Sequence, residues 1–166
     1  LEGYQIGNNE FGGGVSDGVN GIIAYKGKYN ELQANKAYFF FDNMMFCIGS
    51  DISYVQNDNV LTSVEQNLLN GEVIYNDGQE KQLSSNSNMQ LKQLKWVYHN
   101  NTGYIFRGTD NVTIQNMSQA GSWKDINATG ESGLIDKNVF SVWINHGLNP
   151  ENASYQYIVV PDKSID

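Results

Sequence analysis

The chain has 166 residues, with 17 Gly but only 2 Pro, 12% aromatic residues and a formal net charge of -8. That length suffices for one domain with a real core, and the composition is that of a turn-rich β protein rather than a disordered chain. The acidic balance argues against nucleic acid and anionic membranes as partners, because phosphate binding needs a basic surface that this chain lacks.

Along the chain, "NNEFGGGVSDGVNGIIAY" opens with three consecutive glycines and runs into a short apolar strand, Ile22 to Tyr25. A phosphate-binding loop needs a helix or a Lys-Ser/Thr behind its glycines. A strand follows here, so the glycines are read as a close backbone approach within a sheet.

The stretch "KAYFFFDNMMFCIGSDI", residues 36 to 52, is interrupted by the turn-prone pair Asp42-Asn43 and closes on Gly49-Ser50. Nothing in it repeats at three or four residues, so it predicts two strands joined by a tight hairpin rather than a helix. Its near-continuous hydrophobicity predicts burial on both faces, with later strands supplying the cover. Cys47, the single cysteine, lies inside this run and reads as a packed thiol, since nothing nearby would stabilise a thiolate.

Next, "LTSVEQNLLNGEVIY" reads as strand, turn at Asn70-Gly71, strand, and the polar stretch from Asp77 to Met89 should be exposed. "LKWVYHNNTGYIFR" places a turn at residues 100 to 103 between two strands, with Trp96 expected in the core. "VTIQNMS" alternates, as does "VFSVWIN", with Phe140, Val142 and Ile144 on one face and Ser141, Trp143 and Asn145 on the other. "SYQYIVVP" supplies the last strand and ends at Pro161. No helical period, linker or internal repeat is visible. The fold expected is a single all-β domain over residues 1–166, an antiparallel β-sandwich of about ten strands.

The order and spacing of "FGGGVSDGVNGIIAY", "LQANKAYFFFDNMMFCIGSDI", "TSVEQNLLNGEV", "WVYHNNTGYIF", "GSWKDIN" and "VFSVWINHGLNPENASYQYIVVP" resemble the central β domain of polysaccharide lyase family 8. That family includes the chondroitin AC, hyaluronate and xanthan lyases, and the resemblance to the chondroitin AC lyases is the strongest. It covers roughly residues 10 to 162. It implies an antiparallel supersandwich, a fragment of a larger multidomain enzyme that also carries an N-terminal α/α toroid and a smaller C-terminal β domain. It implies a secreted or periplasmic bacterial lyase that cuts uronic-acid-containing glycosaminoglycans by β-elimination. The family's catalytic Asn, His, Tyr and Arg lie on the toroid and a supporting Glu lies before the Gly-rich motif, so this piece is expected to hold none of them. The first strands of the supersandwich are expected to be missing too, which leaves an unpaired edge. Calcium binds some relatives just before the Gly-rich motif, but Glu2 is not matched to a ligand. A chain that begins with Leu1 rather than Met fits a piece of something longer.

Chemistry within the chain itself has few candidates. β-Elimination at a uronate needs a cation or donors for the carboxylate, a base for the C5 proton and an acid for the leaving oxygen. Arg107 is the only arginine, and His99 and His146 the only histidines. His99 at the hairpin mouth and Arg107 past its far strand are read as neighbours, with an exposed turn histidine beside a surface arginine the leading description. His146 is read as a structural residue bonding its loop backbone. No metal set is evident, with "NDN" at 57 to 59 the one weak calcium candidate and no cofactor implied. No Gly-x-Ser-x-Gly elbow is present.

For sugar contact the candidates are Trp123 and Trp143, with His99 and Arg107 behind them. Aromatic planes stack on sugar rings, although packing or capping is the leading role for each tryptophan. A stand-alone carbohydrate-binding module is thus the alternative function, and a purely structural β domain of a surface protein a third. Five Asn-x-Ser/Thr sequons, at Asn100, Asn111, Asn116, Asn127 and Asn152, carry little weight in an Asn-rich chain.

Overall fold

The computed structural model describes residues 8–108 and 111–164. In chain order the elements are β1 (Asn8–Ser16), β2 (Gly21–Tyr29), β3 (Leu32–Phe41), β4 (Met44–Ser53), β5 (Asn59–Leu68), β6 (Ile74–Asn76) and β7 (Glu80–Gln82). They continue with β8 (Ser87–Leu91), β9 (Trp96–His99), β10 (Thr102–Phe106), β11 (Val112–Ser122), α1 (Trp123–Ile126), β12 (Leu134–Leu148) and β13 (Ala153–Val160). Two antiparallel sheets result: sheet A in the order β1-β2-β3-β4-β13-β10-β9-β6-β7, and sheet B in the order β5-β12-β11-β8.

Turn chemistry fixes the hairpins. Asp42 turns β3 into β4 with φ 45°, while Asn100 and Asn101 turn β9 into β10 with φ 48° and 61°. Asp and Asn tolerate this left-handed region, and two such residues in a row match the right-handed twist of the strands. The hairpin predicted for residues 36 to 52 therefore forms, with Phe41 opposite Met44 and Tyr38 opposite Cys47. The strand–turn–strand reading of residues 61 to 75 also holds, but its two strands belong to different sheets, so the segment crosses between layers. The polar stretch from Asp77 to Met89 is mostly exposed, yet it carries β7, the start of β8 and the buried Leu83.

The core lies between the sheets. Sheet B contributes Phe140, Val142 and Ile144 from β12 and Val112 and Ile114 from β11, the alternation read from sequence. Sheet A contributes Cys47, Val97, Tyr104, Phe106, Tyr155 and Tyr157. Gly49 is required in β4 because a Cβ there would stand 2.1 Å from the Tyr155 ring, which lies across it. Trp96 is half-buried rather than part of the core: it sits opposite Ile105 while its neighbours Val97 and Tyr104 point inward.

The two layers differ in width. At about 4.8 Å per strand, nine strands span roughly 38 Å and four span roughly 14 Å. Residues of β1, β2 and β3 are exposed or half-buried throughout, with none in the core. The expectation that the 36 to 52 hairpin is covered on both faces is thus corrected: β4 is covered on its inner face, but Phe40, Phe41 and Met44 stay exposed. Sheet B ends at β5 and does not reach them.

Candidate functional site

Polar groups are unevenly placed in the interlayer space. His99 ends β9 with 0% exposure, against the ring of Phe140 at 4.7 Å between centroids. The Asn70 backbone N–H donates to His99 Nε2 at 3.1 Å, which puts the imidazole proton on Nδ1. That nitrogen donates to Glu65 Oε1 at 2.9 Å. Both ring nitrogens are engaged by the protein, so the neutral ring ties the β5–β6 crossover to the β9–β10 hairpin. Tyr104 is packed beside them, its phenol pushed well above its ordinary range by burial and then by the Glu65 carboxylate.

This corrects two expectations. His99 is not an exposed turn residue, because the crossover folds over it and Glu65 meets it from the opposite sheet. Arg107 is not its neighbour either. His99 pairs with Thr102 at the turn end of the hairpin and Trp96 with Ile105 at the far end, so Arg107 lies beyond that far end. Five residues of extended chain separate it from Thr102, roughly 17 Å.

His146 lies within β12, not in a loop, and shares a 2.8 Å hydrogen bond between its Nε2 and Thr62 Oγ1. Its partner is therefore a side chain of the adjacent strand rather than the loop backbone. Its ring faces Tyr155 at 5.9 Å, and burial followed by the charge of Lys36 lowers its pKa. Tyr38 is pushed up to about 12, by burial first and then by Tyr25, and Tyr155 and Tyr157 are raised further, again chiefly by burial. These hydroxyls are thus kept as phenols, whereas a tyrosine base needs a lowered pKa. Cys47 is buried and its thiol is likewise pushed up.

Among the described residues no three His, Cys, Asp or Glu side chains converge as a metal site. The calcium candidate at residues 57 to 59 supplies a single carboxylate, Asp58, too few for a cation that takes six to eight oxygens. Glu2 lies outside the described residues.

Trp143 lies on sheet B and Trp123 in α1 at the end of its strand β11. Beyond the pairing of Asn116 with Ser87 and the bond from the Leu69 N–H to the Asn138 carbonyl, β11 and β12 pair only with each other among the described residues and project as a two-stranded arm. Its tip is firmly built. Ser122 Oγ caps α1 by accepting from the Lys124 N–H and donates to the Glu131 carbonyl, and Asn127 N–H closes on the Trp123 carbonyl at 2.8 Å. Gly130 must be glycine there, since a Cβ would stand 2.6 Å from the Trp123 carbonyl oxygen. The capping role read for "GSWKDIN" belongs to this backbone, whereas the Trp123 residue itself is 59% exposed. Trp143 is half-buried on β12 opposite Thr113, on the face away from the core. Sequence reasoning missed Glu65 as the partner of His99; its place within an apolar alternating strand was the available signal.

Polysaccharide lyase family 8, super-sandwich domain, is the family description that matches residues 2–166. The chain is similar to Chondroitinase-AC of Pedobacter heparinus, 41% identical over 157 residues, which are 95% of this chain and 22% of that protein. It is also similar to Xanthan lyase of Bacillus sp. (strain GL1), 30% identical over 159 residues, 89% of this chain and 17% of that protein. Among solved structures, chondroitinase AC lyase, determined as enzyme–oligosaccharide complexes, superposes with a TM-score of 0.86 at 39% identity, covering 93% of this chain and 23% of the other. The chain thus spans about a fifth of the length of these relatives.

Proposed function

The chain belongs to polysaccharide lyase family 8 as a partial super-sandwich domain, and from that premise we propose that it serves a lyase acting on chondroitin- or hyaluronan-type glycosaminoglycans. In this reading it supports a helical catalytic domain and forms one wall of the substrate cleft. The parent is a secreted or periplasmic enzyme.

The reaction removes the C5 proton of a uronate, breaks the C4–O bond, forms the C4–C5 double bond and protonates the leaving oxygen. A base, an acid and a neutraliser of the carboxylate must surround one sugar. The observation that carries the scaffolding role is the state of His99: fully buried, held at both nitrogens, and at the opposite end of its hairpin from Arg107. The histidine is a tie between sheets, and the groups of the elimination belong to other parts of the enzyme.

The test is a chimera in which this chain replaces the matching segment of Pedobacter heparinus Chondroitinase-AC. Formation of unsaturated uronide from chondroitin sulfate, followed by ultraviolet absorbance, is expected from the chimera and not from the chain alone. Product from the chain alone, or a folded chimera without activity, overturns the reading.

A second reading, sugar binding without cleavage, is favoured by one observation: the exposure of Trp123 on a firmly built tip.

A further inference from the structure

We propose that the outer face of sheet B, from Trp143 to Trp123, is a binding track for an acidic glycan chain. The inference deepens the cleft-wall reading and rests on it only for the identity of the glycan; the binding test requires no cleavage, so the two fail separately.

The track follows from register. On β12 the positions Trp143, Ser141, Val139, Lys137 and Ile135 alternate with the core residues Ile144, Val142 and Phe140 and point away from sheet A. Opposite them on β11 stand Thr113, Gln115, Met117, Gln119 and Gly121. Positions 143 and 135 are eight residues apart, roughly 26 Å along the strand, a span of several sugar rings. At the arm, Trp123 and Ile126 join Ile135, Lys137, Val139 and Gln119 around a groove of about 320 Å³.

Its chemistry suits a sugar. Between the two tryptophans the face carries amides and hydroxyls, including Gln66 opposite Ser141 and Gln90 opposite Thr113. Sugars need both kinds of surface, an aromatic plane for their apolar side and donors and acceptors for their hydroxyls. Ser141 lies in the same row and is only 6% exposed, so the groups open to a ligand are the flanking glutamines. The outer face of sheet A offers the opposite surface, with Phe39 packed on Phe41 and Phe46.

Charge selects the class of sugar. In a chain of net charge -8, the outward strand positions Leu61, Ser63, Gln66, Asn88 and Gln90, with those named on β11 and β12, include no carboxylate. Lys137 is their one charge. Asp125, in the tip helix, is the one carboxylate that lines the groove. A uronate over Lys137 therefore meets a cation on a face whose strand positions hold no carboxylate.

The experiment is an NMR titration of the chain with hyaluronan hexasaccharide, with neutral cellohexaose as the comparison. Expected are amide shifts confined to residues 113–126 and 135–143 and to Gln66 and Gln90. Trp123→Ala, at an exposed position that leaves the fold intact, should weaken binding about fivefold. Lys137→Gln should weaken the hyaluronan hexasaccharide about threefold, leave cellohexaose unchanged and reduce the dependence on salt. Shifts centred on sheet A, equal affinity for the two hexasaccharides, or no shift at about 10 mM sugar in a folded sample would each overturn the proposal.

Discussion

The two ends of sheet A are made of similar residues and live in different solvents. From β4 onward Cys47, Tyr157, Phe106 and Val97 are buried beneath sheet B. In β1 to β3, Ile23, Phe40 and Phe41 remain in contact with water. The backbone pairing is continuous from one end to the other, so hydrogen bonding does not distinguish them. Burial does: apolar area removed from water stabilises by about 25 cal/mol per Å², and that contribution reaches only as far as sheet B does. Strand formation and strand stability are separate properties in this molecule.

The comparison is broken most forcefully in the covered half. Phe140 has 0% exposure at the centre of the core, and Phe140→Ala should cost about 3–5 kcal/mol in urea unfolding. Phe41→Ala, at a position 43% exposed, should stay below about 1 kcal/mol. Equal costs would mean that the two ends share one environment. The Glu65–His99 pair sharpens the same point. His99→Leu leaves a carboxylate buried without its donor and should also cost about 3–5 kcal/mol, whereas adding Glu65→Met should recover most of that loss.

Two glycines give a smaller and cleaner contrast. An added Cβ at Gly49 meets the Tyr155 ring at 2.1 Å, whereas at Gly12 it meets nothing within 4 Å. Gly49→Ala should therefore destabilise by about 1–3 kcal/mol, and Gly12→Ala, on the edge strand β1, should fall within about 0.5 kcal/mol of the parent in the same unfolding experiment.

Local chemistry was legible in the sequence, and reach across the molecule was not. Asp42 and the pair Asn100-Asn101 announced their hairpins because the φ values they adopt are a property of those residues. The alternation of Phe140, Val142 and Ile144 announced the core face for the same local reason. The burial of His99 depends on Asn70 and Glu65, 29 and 34 residues away, and no pattern within "VYHNN" encodes it. Likewise the aromatic run at 36 to 52 states a demand for cover, while its supply depends on the width of the other sheet. Trp123 and Trp143 looked like unrelated tryptophans until the β11–β12 register put one at the tip of the arm and the other at its base.

The smallest expected effect lies where the two halves meet. His146 is half-buried at that boundary, with Thr62 from the neighbouring strand, Tyr155 from the facing sheet and the charge of Lys36 around it. Burial, and then Lys36, lowers its pKa from the ordinary 6.5, so the folded chain holds the neutral ring while the unfolded chain protonates near 6.5. The unfolded state thus binds more protons as pH falls below 6.5, and stability must fall with it. The contribution is fully present above that value and is lost as pH drops through the lowered folded pKa. Carboxylates held below their ordinary range, Glu10, Asp17 and Asp77, add their own acid sensitivity at lower pH. The window from pH 7 to 5 therefore isolates His146, and urea midpoints measured across it should decline in the parent and flatten in His146→Gln. A decline that persists unchanged in His146→Gln removes His146 as its source, and one that disappears assigns it to the boundary.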